Sequence, residues 1–355
     1  MTAQRIKWID ALRGFGIFLV FLGHTTLINK GVDHYIFSFH MPLFFFISGI
    51  FFKVTVTSRS FRKFFLTKLK TRMLPYISFG LLTYCIWLFP ILLRKHGIYQ
   101  GSHPVPDSLY YKPLVGMLYG NGLNGWLAHN GILWFLACLF VTEIIFFLLN
   151  SVIKTKRTML LALLLFAFLG HSASVYSPTG LPFRIDVALT AVVFYGLGYQ
   201  LKDYLLSSDF GNGSALICLL VGLGIGFLNG RVDMNYNCYG NPLLFYASSL
   251  SSIYAYICFA KRIPHNRLIS YVGQNSLVFF LLQNVGFSVV NILAYLTLRT
   301  RPNSIEPNFV YACSYVLLSL LVLFPAVYVI NSKFPIITGR AKGRVNKTKF
   351  FKHKE

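Results

Sequence analysis

WIDALRGFGIFLVFLGH, residues 8–24, opens a series of apolar runs and carries Asp10, Arg13 and His24 within an otherwise hydrophobic helix pattern. Arg13 and His24 are eleven residues apart, close to three helical turns, so their side chains point the same way within about 20°. The helical rise separates them by roughly 16 Å along the axis, and Asp10 shares their face within about 60°. Because ionisable residues in a membrane helix are costly and usually line a cavity, this stripe predicts a functional site.

The apolar segments that follow this stretch along the chain predict the fold class. The chain has 355 residues, of which 55% are hydrophobic and 12% charged, and its mean hydropathy is +0.60. These values exclude an ordinary soluble protein and predict an all-α integral membrane protein of about ten transmembrane helices with a polar central cavity. We expect the spans near residues 9–28, 35–54, 73–93, 131–150, 158–176, 186–206, 213–230, 243–260, 271–296 and 309–331.

The net charge of +23 is explained by membrane topology. With the N-terminus inside, these spans place about three times as many Lys and Arg residues on the cytoplasmic side as outside. The charge then orients the protein and attracts anionic lipid headgroups, so we expect no nucleic-acid partner. We predict cytoplasmic termini and two regions, a membrane domain over 1–332 and a basic cytoplasmic tail over 333–355.

The six cysteines show neither CxxC pairs nor the spacing of Cys/His ligand sets. They are typical of small packing residues in apolar helices, so the sequence predicts no metal site and no required disulfide.

Two segments between the spans carry alternative interpretations. The basic stretch 53–72, with interleaved phenylalanines, is typical of an interfacial helix that anchors on anionic lipid, or of a surface that binds a polyanionic cytosolic cofactor. Arg62, Lys68 and Arg72 are its candidate phosphate ligands. The long segment 94–130 is rich in Tyr, Trp, Asn and Gly, a composition that suits either sugar binding or aromatic anchoring at the outer interface.

Two further polar residues interrupt the apolar runs. His40 lies in the second span, where Pro42 is expected to kink or break the helix and Ser48 and Gly49 allow close helix approach. Glu143 lies in the middle of the fourth span, where it either joins a shared polar cavity or bridges two helices. Histidine can act as a general base toward a hydroxyl, and we expect His40 or Glu143 to orient the His24 ring.

The first hundred residues resemble the membrane acyltransferase-3 family, specifically its fucose 4-O-acetylase-like branch. The resemblance rests on the Arg-x10-His spacing of WIDALRGFGIFLVFLGH, followed by FSFHMPLFFFISGIFFK and the basic stretch ending KTRMLPY. Weaker similarity continues through LWFLACLFVTE and DVALTAVVFYGLGY to GQNSLVFFLLQN. Relatives often end the last motif with a histidine, and this chain has Gln283 and Asn284 there.

The resemblance implies an enzyme of the bacterial cytoplasmic membrane, an O-acyltransferase. Such an enzyme moves an acyl group, most commonly acetyl, from cytosolic acyl-CoA to a hydroxyl of a surface or lipid-linked glycan. His24 matches the family's catalytic histidine and Arg13 its essential partner, and we include Asp10, His40 and Glu143 in the candidate catalytic set. Arg72 matches the basic residue before the third span, and Ser48 belongs to the second-span motif, so both join Lys68 and Arg62 as candidate donor-binding residues.

Acyl-CoA is expected as a co-substrate, with no tightly bound cofactor. The expected partners are acetyl-CoA, the glycan acceptor and the lipid bilayer, and homo-oligomerisation is compatible with them. The acyl donor (acetyl, succinyl or another), the acceptor, and the choice between direct transfer and an acyl-histidine intermediate stay open. A flippase or exporter of a surface polysaccharide, or of its lipid-linked precursor, is the alternative function. Its transport cycle does not require the basic segment beside a His/Arg stripe.

Overall fold

The computed structural model describes residues 6–53, 58–95, 110–176, 180–208, 211–263, 266–299 and 306–340. These ranges are almost entirely helical, and their single β-bridge joins Asp233 and Cys238. In chain order the α-helices are α1 (Lys7–Gly23), α2 (Lys30–Ile50), α3 (Ser58–Lys68), α4 (Leu74–Lys95), α5 (Lys112–Tyr119), α6 (Trp134–Val152), α7 (Lys156–Tyr176), α8 (Ile185–Gln200), α9 (Lys202–Ser207), α10 (Asn212–Asn229), α11 (Pro242–Arg262), α12 (Arg267–Gln274), α13 (Ser276–Leu281), α14 (Gln283–Leu298) and α15 (Phe309–Lys333).

The prediction of an all-helical membrane protein is confirmed. Within the described ranges, five helical stretches are long and apolar enough to cross a bilayer, and a shorter apolar helix covers Gly213–Asn229. The five are Phe61–Leu92, Gly131–Val152, Lys156–Tyr176, Pro242–Arg262 and Phe309–Lys333. The count of about ten spans stays a prediction, because helices such as α1 and α14 have 17 and 16 residues and are shorter than a typical crossing.

The expected ninth span, residues 271–296, is not one continuous helix. It is divided into α12, α13 and α14 by irregular backbone at Asn275 and Leu282. The Asn275 amide donates to the Tyr271 carbonyl at 2.9 Å, and Arg340 donates to the Gln274 carbonyl at 2.8 Å. Broken helices persist at membrane depth only where other protein groups satisfy the backbone, and these side chains supply that satisfaction.

Pro42 does not end the second span, because α2 runs from Lys30 to Ile50 with the proline inside it. Proline has no backbone N–H, so the Ser38 carbonyl four residues earlier loses its helical donor. The Ser249 hydroxyl on α11 donates to this carbonyl at 2.6 Å, and both serines are fully buried. A hydrogen bond between helices therefore compensates for the proline and fixes α11 against α2.

Close approach between α2 and α8 confirms the expectation for Gly49. A Cβ atom at Gly49 would clash with the Tyr195 carbonyl, and one at Gly198 would clash with the Phe46 carbonyl. The two helices thus exchange glycines at one crossing, where their backbones touch. This crossing holds the half of α2 that follows His40.

The helix bundle has a basic end, defined by the start of α1, the ends of α2 and α11, and α3. Arg13 lies 4.7 Å from the Phe51 ring, Lys261 lies 5.5 Å from the Trp8 ring, and Phe52 packs against Phe64 of α3. The opposite end, called the cavity end below, contains the end of α1, the start of α2 and the α10–α11 loop.

We expect Ser249→Ala to destabilise the protein by about 1 kcal/mol, because the buried Ser38 carbonyl loses its donor. The matched control is Ser248→Ala, since Ser248 is equally buried but donates to the Phe245 carbonyl of its own helix. Thermal unfolding in detergent micelles measures both. In a Pro42→Ala background the new N–H can satisfy Ser38, so an undiminished effect of Ser249→Ala there would contradict this account.

Candidate active site

A cavity of about 440 Å³ lies at the cavity end of the bundle. It is enclosed by the end of α1, the first turns of α2, the start of α6, the α10–α11 loop and the α13–α14 region. Polar groups are prominent in its wall, including His24, Asp33, His40, Arg231, Asp233, Asn235, Tyr236 and Asn284. A concave site with convergent polar groups is the usual form of a small-molecule site.

Both histidines of the cavity are oriented by backbone carbonyls. The His24 ring is bonded through Nδ1 to the Val20 carbonyl at 2.8 Å, and His40 is bonded in the same way to the Ile36 carbonyl at 2.7 Å. A carbonyl only accepts, so Nδ1 carries the proton in each neutral ring and Nε2 keeps a lone pair. This tautomer suits a general base or a nucleophile.

The two rings differ in their accessibility to a substrate. His24 is exposed, whereas His40 is 2% exposed. Their centroids are 6.4 Å apart and the rings are nearly perpendicular, and the Phe37 ring packs against both. His24 is therefore the histidine that a ligand in the cavity can reach, and the Val20 carbonyl, instead of His40 or Glu143, orients it.

Arg231 lies between two carboxylates at the mouth of the cavity. Its Nε donates to Asp33 Oδ2 at 2.8 Å, and its Nη2 lies 3.7 Å from Asp233 Oδ2. The guanidinium also lies 4.5 Å from the centroid of the Phe37 ring. The arginine thus connects α2 to the α10–α11 loop and holds both carboxylates beside the histidines.

A tight turn positions Asp233. Its Oδ1 accepts from the backbone N–H of Asn235 at 3.0 Å and of Tyr236 at 3.4 Å, and its backbone pairs with Cys238. Burial raises the pKa of the Asp233 carboxyl above its ordinary value, while the Arg231 guanidinium opposes the shift. A carboxylate that has lost part of its hydration gains from any donor that a ligand brings.

Asp10 and Arg13 lie outside the wall of this cavity. Arg13 packs on Phe51 at the basic end, and Asp10 is 7% exposed on α1, where its carbonyl closely approaches Gly273. The expected single cavity shared by all the charged residues is therefore not confirmed. Of the candidate catalytic set, His24 and His40 meet in the cavity, while Asp10, Arg13 and Glu143 lie elsewhere.

Glu143 bridges helices at the basic side of the bundle, which was one of its two interpretations. It is fully buried on α6, and Arg72 binds it in a bidentate fashion, through Nη2 at 2.9 Å and Nε at 3.1 Å. Lys68 Nζ adds a bond of 2.7 Å. The two cations lie on and beside a π-helical turn, Leu69–Met73, that joins α3 to α4. One carboxylate with two cations leaves a net positive cluster.

The remaining candidate donor-binding residues lie apart from one another. Arg62 is exposed on α3, one and a half turns before Lys68, whereas the Ser48 hydroxyl donates to the Phe44 carbonyl of its own helix at 2.8 Å. Glu143 follows the cavity residue Trp134 by nine positions on α6, a rise of about 14 Å. The basic cluster and the cavity are thus separated by half the thickness of a bilayer core.

The described residues of segment 94–130 make several hydrogen bonds and ring contacts. Tyr84 donates to the Tyr110 carbonyl, Tyr119 donates to the Gly180 carbonyl, and Lys112 lies 5.5 Å from the Trp126 ring. Tyr110, Tyr119 and Trp126 do not line the cavity, and both interpretations of the segment stay predictions. Residues 96–109 of this segment, and 341–355 of the predicted tail, lie outside the described residues.

Sequence analysis missed Asp33, Arg231 and Asp233. One signal was present, because Asp33, Phe37 and His40 are spaced i, i+4 and i+7 and so share one face of α2. Arg231 and Asp233 had no such signal, since nothing in a loop two hundred residues away indicates which helix it covers.

We expect Glu143→Ala to destabilise the protein by about 3–5 kcal/mol, because it leaves two cations without their buried counter-ion. Lys70→Ala is the matched control, since Lys70 lies in the same π-helical turn and is exposed. Unfolding in detergent measures the difference. A Glu143→Ala protein as stable as the control would show that the cluster does not hold α6 to the π-helical turn.

Comparison with known protein families identifies one family that matches the chain. The model of an acyltransferase domain family, acyltransferase-3, matches residues 6–328, which include every residue of the cavity and of the basic cluster. It matches the family as a whole and does not single out a branch. No curated protein and no solved structure matches the chain. The match covers nearly the whole chain, and the protein therefore belongs to the membrane acyltransferase-3 family.

Proposed function

We propose that this protein is a membrane O-acyltransferase that moves an acyl group, most commonly acetyl, from acyl-CoA to a hydroxyl of a surface or lipid-linked glycan. The observation that carries the proposal is the hydrogen bond from His24 Nδ1 to the Val20 carbonyl, which leaves Nε2 as a base at the wall of a polar cavity. Family membership supports the acyl-transfer reaction.

The donor binds from the basic end. The phosphates of acyl-CoA are recognised by Arg62, Lys68 and Arg72, because guanidinium and ammonium groups form strong charge-assisted bonds with phosphate. Glu143 holds Lys68 and Arg72 in place without cancelling both charges. The thin pantetheine arm then spans the distance of about 14 Å along α6 toward the cavity.

In direct transfer, His24 Nε2 takes the proton of the acceptor hydroxyl as its oxygen attacks the thioester carbonyl. The C–S bond breaks, the acyl ester forms, and the CoA thiolate receives the proton from the His24 imidazolium, which returns the base to its neutral form. In the two-step form, Nε2 attacks the thioester carbonyl first, and CoA leaves as a thiolate that takes a proton from solvent. The acceptor hydroxyl then attacks the acyl-imidazolium, the C–N bond breaks as the ester forms, and the hydroxyl proton passes to solvent. Initial-rate kinetics separate the two, since only the two-step form gives parallel double-reciprocal lines.

The other candidate residues act at a distance from the acceptor. Arg13 contributes positive charge along the donor path, and Asp10 is buried on the same helix, where its backbone carbonyl lies at the close contact between α1 and Gly273 of α12. His40, held by the Ile36 carbonyl, packs with Phe37 beside His24 and forms part of the cavity wall next to the base. Ser48, bonded within α2, belongs to the helix crossing that supports His40.

The location follows from charge and chemistry. Acyl-CoA is a cytosolic metabolite, so the basic end faces the cytoplasm of a bacterial cell and the cavity opens toward the outer face, with both termini inside. The sequence similarity to the fucose 4-O-acetylase-like branch favours acetyl as the donor group and a sugar as the acceptor. An exporter of polysaccharide is the alternative; the accessible histidine base favours the enzyme.

We expect His24→Ala to reduce label transfer from [¹⁴C]acetyl-CoA to membrane glycan by at least about 100-fold, because general-base catalysis contributes about 10²–10⁴. His171→Ala is the matched control, since His171 lies on α7 away from the cavity. Label transfer by purified His24→Ala at the control's rate would contradict the assignment. Absence of label transfer by the wild type would favour the exporter.

We expect Arg62→Ala to raise the KM for acetyl-CoA about three- to tenfold with little change in kcat, since it removes one contact to phosphate that is equal in ground and transition states. Lys30→Ala, a basic change at the cavity end, is the control and leaves this KM unchanged. The increase shrinks at high salt. A lower kcat at unaltered KM would exclude Arg62 as a donor ligand.

A further inference from the structure

We propose that Asp33, Arg231 and Asp233 form the subsite that recognises the acceptor, and that this subsite selects an uncharged polyhydroxylated ring over an anionic sugar. The inference rests on the proposed function and deepens it, because it assigns the substrate class of the same cavity. These three residues, called the mouth triad below, had no role in the chemistry at His24.

The mouth triad belongs to the same space as the base. Asp33, Phe37 and His40 line the cavity from one face of α2, and Arg231 and Asp233 line it from the α10–α11 loop. Arg231 stacks on Phe37, which itself packs against His24 at 5.9 Å between ring centroids. A ligand held by the mouth triad therefore lies within a side chain's length of the base.

The carboxylates keep acceptor capacity toward the cavity. Asp33 uses Oδ2 for Arg231, and no bond to its Oδ1 is made within the described part of the chain. Asp233 uses Oδ1 for two backbone N–H groups, while its Oδ2 lies 3.7 Å from Arg231, beyond hydrogen-bond distance. Neighbouring sugar hydroxyls are the donors that such paired carboxylate oxygens can bind.

Asn235 provides an independent observation. Its side-chain oxygen is buried, and among the described residues it has no donor, although the residue lines the cavity. A buried acceptor without a partner is costly, and a hydroxyl of a bound ligand removes that cost. Tyr236, 62% exposed beside it, offers an aromatic face to the apolar side of a sugar ring.

The net charge of the cavity wall determines whether neutral or anionic sugars bind more tightly. Two carboxylates and one guanidinium give the mouth triad a net charge of about −1, and the rest of the wall consists of neutral groups and the two imidazoles. A carboxylate-bearing sugar would meet this negative charge at short range, whereas Arg231 is already engaged with Asp33. The site therefore binds neutral sugars more tightly than their anionic counterparts.

The test compares methyl α-D-glucopyranoside with its 6-carboxylate, methyl α-D-glucopyranosiduronate, on full-length protein in detergent micelles. Saturation-transfer NMR titration measures the affinity of each, and the neutral sugar is expected to bind at least about tenfold more tightly. Asp33→Asn and Asp233→Asn reduce this ratio about tenfold, and Arg231→Gln increases it. Asp203→Asn, an exposed change on α9, is the matched control and leaves the ratio unchanged.

The Asp and Arg variants are expected to change the affinity ratio in opposite directions. A disrupted loop would change that ratio in the same direction in all three variants, so the directions distinguish a loss of recognition from damage to the fold. Equal affinity for the two sugars, failure of both to bind, or a common direction for the variants would overturn the inference. The proposed function is tested separately by His24-dependent label transfer. Label transfer without charge discrimination refutes the mouth triad alone, and charge discrimination without label transfer refutes the enzyme.

Discussion

The structure depends on the requirement that polar groups within a bilayer find partners inside the protein. Ser249 donates a hydrogen bond to the Ser38 carbonyl that Pro42 leaves without a donor. Arg340 donates to the Gln274 carbonyl at the break after α12. The same requirement orients the site, because the Val20 and Ile36 carbonyls accept hydrogen bonds from the two cavity histidines. The stability of the fold and the tautomer of the cavity histidines thus follow from a single constraint.

The charged side chains of the bundle also find partners within the protein, and they form one cluster toward each end. Glu143 is tolerated in the core because Arg72 and Lys68 reach it from the π-helical turn, and the three groups together carry an excess positive charge. At the other end Arg231 is shared by two carboxylates, so the excess is negative. The two clusters have opposite net charge, which suits an anionic donor at one end and a neutral acceptor at the other.

The sequence predicted the helical membrane fold, the glycine crossing at Gly49 and the histidine at the cavity. The single cavity expected for Arg13 and His24 from their common helix face is not confirmed, since Arg13 lies three turns away from His24 and packs on Phe51. The break at Asn275 could not be foreseen either, because it depends on Arg340 reaching back from another part of the chain. Local periodicity carries no information about such distant partners.

A histidine oriented by a backbone carbonyl changes the role that acidic residues can have here. In a triad a carboxylate fixes the imidazole, so its loss reduces kcat. His24 is held by Val20, and its tautomer survives the loss of any side chain. In the proposed acceptor subsite Asp33 and Asp233 act in recognition, so their substitution is expected to change KM and specificity more than kcat. Carboxylates beside a catalytic histidine can thus be recognition groups, and the hydrogen bond at Nδ1 distinguishes the two cases.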